Sequence, residues 1–180
     1  VYKALFGEKE EVVRCGGKKD DTSGKGLVHI YCGDGKGKTT TSVGLTVRAA
    51  GSGKKVLFYQ FLKNNSSSER SILEKHPGIN VVSGKELQKF TFQMNEEELK
   101  ELRDYNNEML DKLFEMAKDY DMLVLDESVY SIDKDLLDEA KLIEHLEKKP
   151  FALEVVLSGR NPSERLIDHA DYVSEIRKVK

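Results

Sequence analysis

The chain has 180 residues, 34% of them charged, with 29 Lys and Arg against 32 Asp and Glu for a net charge of −3. That balance disfavours a general nucleic-acid binder, which needs a basic face to neutralise phosphates. No apolar run approaches the roughly 18 residues of a membrane span, no secretory leader stands out, and two cysteines, Cys15 and Cys32, are too few for a four-thiolate zinc site. The expectation is a cytoplasmic protein with neither nucleic acid nor membrane as partner.

Residues 1–26 are charged and glycine-punctuated and read as a flexible or capping N-terminal extension; residues 27–180 read as a single domain. Residues 27–31 are β-branched and aromatic enough for a strand. Val43, Val47 and Ala50 then recur at helical spacing, with Gly51 as a stop. Lys55–Phe61 is a second strand, 64–68 a polar loop, and Ile79–Val82 a third strand. A long helix is expected over Asn95–Tyr120, opened by a capping box of Asn95 and Glu98. Its apolar stripe is Leu99, Leu102, Met109, Leu113 and Met116. Met122–Leu125 is a buried strand, Asp135–Lys148 a helix closed by Pro150, and Leu153–Leu157 another strand. Asn161, Pro162 and Glu164 open a further helix, and Asp171–Ile176 is the last strand. Such alternation predicts an α/β fold, a mostly parallel sheet flanked by helices on both faces. Ligands of such sheets bind beyond the carboxyl ends of the strands.

Between the first strand and the first helix stands Cys32-Gly-Asp-Gly-Lys-Gly-Lys-Thr39. Glycines let the backbone bring its N–H groups close to phosphate oxygens. The helix that follows points its partly positive end at the same anion. Lys38 adds a point charge, and the Thr39 hydroxyl can ligate Mg²⁺. The pattern G-x-x-x-x-G-K-[ST] is met at Gly37, Lys38 and Thr39, but Cys32 stands where its first glycine belongs, one residue before Gly33.

Two other strand ends carry polar groups. Met122–Glu127 is four apolar residues followed by two acids. Alone this is also an ordinary strand end; paired with a phosphate loop it suggests a carboxylate holding Mg²⁺ opposite Thr39. Ser158-Gly159-Arg160 follows the strand at 153–157, and Arg160 reads equally as a phosphate clamp or a surface arginine in a turn. The histidines His29, His76, His145 and His169 show no paired metal spacing and read as structural or surface groups.

In this order the elements resemble the P-loop corrinoid adenosyltransferases, the ATP:cob(I)alamin adenosyltransferase family. The stretches that carry the resemblance are Gly33–Thr40, Arg48–Gly53, Val56–Lys63, Val124–Glu127, Ser158–Arg160 and Ala170–Glu175, spanning residues 26 to about 176. The resemblance implies a RecA-like P-loop nucleotide-binding fold. It implies a reaction in which cobalt, reduced to Co(I), attacks the 5′ carbon of ATP and expels triphosphate. ATP would lie on Gly33, Asp34, Gly35, Lys36, Gly37, Lys38, Thr39 and Thr40, reversed relative to phosphate-loop kinases, which would rationalise the displaced first glycine. Mg²⁺ would be held by Thr39 and Glu127, and the departing phosphates stabilised by Lys38 and Arg160.

Phe90-Thr91-Phe92 matches an F-x-W pair that approaches the lower face of the corrin in this family; here Phe92 replaces the Trp. A spacing of two puts both rings on one face if the segment is extended, although such a pair is also an ordinary core feature. Asn64 replaces a family glycine, and Ser128-Val129 replaces an apolar-Asn pair. Family members commonly carry a basic, glycine-containing tail beyond the last strand, where this chain stops at Lys180; residues 1–24 are the alternative source of closure. The resemblance further implies a homodimer and a partner reductase that supplies electrons to cobalt. Two rival readings remain: a small-molecule or nucleoside kinase, with Asp126 as base, and a nucleotide and corrinoid carrier without fast turnover.

Overall fold

The computed structural model describes residues 24–87 and 89–180. The extension expected over residues 1–26 therefore lies, up to residue 23, outside the described residues. Lys25 and Gly26 are tied to the domain: Lys25 Nζ pairs with Asp171 at 2.8 Å, and the Gly26 N–H donates to the Phe151 carbonyl at 2.8 Å.

The described strands are β1 (Val28–Cys32), β2 (Val56–Gln60), β3 (Ile79–Val81), β4 (Met122–Asp126), β5 (Glu154–Ser158) and β6 (Tyr172–Glu175). Each lies within one residue of its predicted bounds. They form one sheet in the order β3-β2-β4-β5-β1-β6, and every pairing is parallel. Central strands of such a sheet are covered on both faces, which is why β2 and β4 are buried at every position.

The helices are α1 (Lys38–Gly51), α2 (Arg70–Leu73), α3 (Glu96–Met116), α4 (Ser128–Asp133), α5 (Glu139–Lys148) and α6 (Glu164–Asp168). Alternation along the strands divides the core. Leu57, Leu123, Leu125, Val155 and Leu157 pack with Leu110, Leu113 and Phe114 of α3 and Leu142, Ile143 and Leu146 of α5. Phe58, Val124 and Val156 face the other way, onto Ala49 and Ala50 of α1 and Leu73 of α2.

Several helices differ from expectation. The row that α1 buries is Lys38, Ser42, Thr46 and Ala49–Ala50, while Val47 is exposed. The hydroxyls tolerate burial because each bonds back four residues, Ser42 Oγ to the Lys38 carbonyl and Thr46 Oγ1 to the Ser42 carbonyl. In α3 the buried residues are Leu102, Asn106, Leu110, Leu113 and Phe114. Asn106 belongs to this row because its amide donates to the Leu136 carbonyl at 2.9 Å, and Met116 is exposed. The predicted Asn95–Glu98 capping box is formed, but the α-helix stops at Met116 and a 3₁₀ turn completes the run to Asp119. The stretch expected as one helix from Asp135 starts instead at Glu139, because the Asp138 carboxylate caps the amides of Ala140 and Lys141. Ser163, rather than Asn161, caps α6, its hydroxyl accepting from the Leu166 N–H. The short helices α2 and α4 were not expected; each is too brief to display a full helical period.

Candidate active site

The parallel register brings four strand ends into one row. Gln60 of β2 lies beside Asp126 of β4, Leu125 of β4 beside Leu157 of β5, and Ser158 of β5 beside Tyr31 of β1. Asp126 therefore sits between Gln60 on one side and Ser158 on the other. It is fully buried, and a carboxylate in that position needs donors on every lone pair it can fill. Ser158 Oγ donates to its Oδ1 at 2.6 Å, and the Glu127 N–H donates to Ser158 Oγ at 3.0 Å. Its Oδ2 accepts from Gln60 Nε2 at 3.0 Å, Thr39 Oγ1 at 3.1 Å and Lys63 Nζ at 2.8 Å. The carboxylate bonded to Thr39 is thus Asp126, the residue before Glu127.

The phosphate loop leaves β1 one residue late. Cys32 is the last residue of the strand and is buried, its thiol pushed up by burial and then by the nearby Glu175. The turn begins at Gly33, whose φ of 105° places it in the left-handed region. A Cβ on Gly35 would meet the Ile176 carbonyl oxygen at 2.7 Å. The loop rests directly on the segment after β6: the Gly35 N–H donates to that carbonyl at 2.8 Å, and Asp34 Oδ1 accepts from the Lys178 N–H at 3.1 Å. Lys36 and Thr40 are exposed. Gly37 precedes α1 and has no side chain to cap it, leaving the first-turn amides available to an anion. Lys38 is buried and folds back to donate to the Gly35 carbonyl at 2.8 Å.

Glu127 occupies the first position after β4 with φ 60° and ψ 15°. A left-handed conformation at a residue other than glycine costs on the order of 1 kcal/mol or more and clusters at functional sites. Burial, and then the charge of Asp126, push its carboxyl up, against the opposing fields of Lys63, Lys38 and Arg160. Arg160 is exposed, its guanidinium carbon 5.7 Å from the centre of the Tyr130 ring.

A cleft of about 660 Å³ opens beside this cluster, lined among others by Lys63, Asn64, Phe90, Phe92, Gln93 and Tyr130. Phe90 and Phe92 are not an extended pair. Thr91–Gln93 is one 3₁₀ turn, closed by the Gln93 N–H donating to the Phe90 carbonyl and by Gln93 Oε1 accepting from the Phe90 N–H. The two rings still stack, with centroids 5.4 Å apart and planes 8° from parallel. They are 70% and 81% exposed, so they are not core aromatics.

Asp126, Gln60, Lys63 and Glu69 meet at this point, although none of them was among the expected cation-binding residues. The signal was present in the first three: a polar residue ending an otherwise apolar strand, and a lysine three residues beyond it. Glu69 carried none. Its Oε1 accepts from Gln60 Nε2 at 2.7 Å and lies 3.6 Å from Lys63 Nζ. Burial works against the Glu69 carboxylate, but Gln60, its own backbone and Lys63 together hold it below the usual range.

The oxygens of Thr39, Asp126 and Glu127 are hard donors of the kind Mg²⁺ takes. A cation already stands against two of them, the ammonium of Lys63, so the point fits positive charge. Among the described residues, no three His, Cys, Asp or Glu side chains gather where they could hold a metal ion. Among the same residues, no helix is long and apolar enough to cross a membrane.

Residues 24–180 match the family model described as ATP:corrinoid adenosyltransferase BtuR/CobO/CobP. A corrinoid adenosyltransferase of Escherichia coli strain K12 is 32% identical over 165 residues, 87% of this chain and 79% of that protein. One from Salmonella typhimurium, corrinoid adenosyltransferase CobA, is 34% identical over 166 residues, with 87% and 79% covered. In shape the chain is similar to a KaiC-like protein of Pyrococcus horikoshii OT3, with a TM-score of 0.56 at 21% identity over 87% of this chain and 74% of that one. That likeness shows the fold alone, a parallel P-loop sheet of the RecA-like kind. By its sequence from residue 24 to residue 180, the chain belongs to the ATP:corrinoid adenosyltransferase family.

Proposed function

We propose that the protein transfers the 5′-deoxyadenosyl group of ATP to the cobalt of a reduced corrinoid. The carrying observation is Lys63: its ammonium bonds Thr39 and Asp126, and its side chain lines the cleft that the stacked Phe90 and Phe92 also line. A nucleotide on the phosphate loop and a flat macrocycle on the aromatic pair would meet there.

The step needs no protein acid or base. Co(I) supplies the electron pair for the new bond to the 5′ carbon; the bond from that carbon to its oxygen breaks, and triphosphate leaves with those electrons. The protein must hold the two substrates in line and stabilise charge on the departing phosphates. Lys38, the amides of Gly33–Thr40 other than that of Gly35, which is taken by the Ile176 carbonyl, and Arg160 are the groups for the phosphates. Mg²⁺, held by Thr39 with Asp126 and Glu127, would neutralise phosphate charge. Phe90 and Phe92 offer an apolar face to the corrin, where exclusion of a lower ligand makes Co(II) easier to reduce. The reading carries with it a separate electron-donating reductase, a cytoplasmic setting and a homodimer.

A kinase is the weaker reading. Its base would be Asp126, yet that carboxylate is fully buried and already accepts from Ser158, Gln60, Thr39 and Lys63. Incubation with ATP, Mg²⁺ and chemically reduced cobalamin tests the proposal. Adenosylcobalamin and free triphosphate are expected. ADP with a phosphorylated acceptor would overturn it, as would binding of both substrates without product.

A further inference from the structure

We propose that Lys63 is a tethered stand-in for the divalent cation, holding Thr39 and Asp126 in register until the cation arrives on the nucleotide and moves the ammonium to Glu69. The inference rests on the nucleotide-site reading above and deepens it.

Three observations carry it. The Lys63 ammonium lies 3.0 Å from Thr39 Oγ1 and 2.8 Å from Asp126 Oδ2, the two oxygens that a divalent ion would share. A buried carboxylate needs a nearby positive charge, and Lys63 supplies it whenever the nucleotide is absent. Two cations cannot occupy that point together, so loading requires the ammonium to leave.

A second berth is built beside the first. Gln60 divides its amide between the two carboxylates, donating to Asp126 at 3.0 Å and to Glu69 at 2.7 Å. The Ser67 hydroxyl donates to Gln60 Oε1 at 2.6 Å and fixes which way that amide points. Glu69 is already 3.6 Å from the Lys63 ammonium. The lysine side chain also lines the open cleft, so a small rotation exchanges one carboxylate for the other. A free divalent ion must displace the ammonium unaided. An ion carried by triphosphate brings the contacts of the phosphate loop with it, so the cation enters with the nucleotide rather than ahead of it.

The test is a titration of Mn²⁺, followed by electron paramagnetic resonance, on the full chain and on Lys63→Met and Glu69→Gln. Without nucleotide, Lys63→Met is expected to bind Mn²⁺ about tenfold or more tightly than the parent. Its thermal midpoint is expected to be lower in the metal-free state and to rise on adding Mn²⁺ alone. Glu69→Gln should weaken Mn²⁺ uptake in the presence of ATP several-fold, because the displaced ammonium loses its second carboxylate. Unchanged Mn²⁺ affinity in Lys63→Met overturns the proposal. If that variant does not fold, unchanged uptake with ATP in Glu69→Gln overturns it instead. Where the parent forms adenosylcobalamin but Lys63→Met shows unchanged affinity, only the role of Lys63 falls. Where the parent takes up no Mn²⁺ with ATP, the nucleotide-site reading falls too.

Discussion

Thr39 Oγ1 and Asp126 Oδ2 lie 3.1 Å apart across 87 residues of sequence. That hydrogen bond joins the phosphate loop at the start of α1 to the end of the central strand β4. Replacing Asp126 with Asn keeps the size and an acceptor but removes the charge. Adenosyl transfer is expected to fall by about 10²-fold or more in kcat/KM, in line with loss of an electrostatic group at a reacting site. Steady-state formation of adenosylcobalamin over a range of Mg-ATP concentrations measures it.

Lys38→Ala separates binding of phosphate from integrity of the loop. The lysine donates within its own loop at 2.8 Å, so its loss is expected to cost about 1 kcal/mol of stability. Turnover is expected to drop about 10²- to 10³-fold. Urea unfolding and triphosphate release, taken on the same preparation, give the two numbers.

Phe90→Ala distinguishes the corrin face from the phosphate site. The ring is 70% exposed, so stability is expected to stay within about 0.5 kcal/mol. The variant should react normally with cobalamin already reduced to Co(I) and poorly when the reaction starts from Co(II) with a reductant. Parallel assays from the two oxidation states decide it, and equal rates in both would remove the aromatic pair from the mechanism.

Asp171 gives a prediction in pH. Burial opposes its ionisation, but the bonds from Lys25 Nζ and the Val28 N–H, both 2.8 Å, hold its carboxyl below the usual 3.8. A depressed carboxylate contributes stability above its unfolded pKa and loses it as pH falls through the folded one. Asp171→Ala is therefore expected to be less stable than the parent by about 1 kcal/mol at pH 7, the exposed Lys25 pair being screened by solvent. The gap should close once the pH falls well below 3.8. Denaturant titrations at several pH values report the difference.

The fold was legible because its signals are local. A run such as Met122–Leu125 has one interpretation in an alternating α/β chain, and the sheet places it centrally. Helix bounds were less legible where a side chain overrides the pattern, as where Asp138 caps Ala140 and delays α5. The buried rows of α1 and α3 contain Ser42, Thr46 and Asn106, whose polar atoms are satisfied by bonds no periodicity reveals. The glycine-rich turn between β1 and α1 was legible for the same local reason. The carboxylate facing Thr39 was not, since Asp126 and Glu127 are adjacent acids and only the backbone turn at Glu127, with φ 60°, decides which one stays in the strand row. Glu69 was invisible, because its place beside Lys63 depends on Gln60 and on the path of a polar loop.

The position of β1 bears on how the chain is made. Its neighbours in the sheet are β5 and β6, more than a hundred residues downstream, and the loop that follows it rests on Ile176 and Lys178. During synthesis β1 must wait for both partners, while β2, β3 and β4 can associate earlier. Contacts of such long sequence separation form slowly. The proposed nucleotide site thus assembles only after β6 has emerged, and the moment a nascent chain first retains ATP would mark the arrival of that strand.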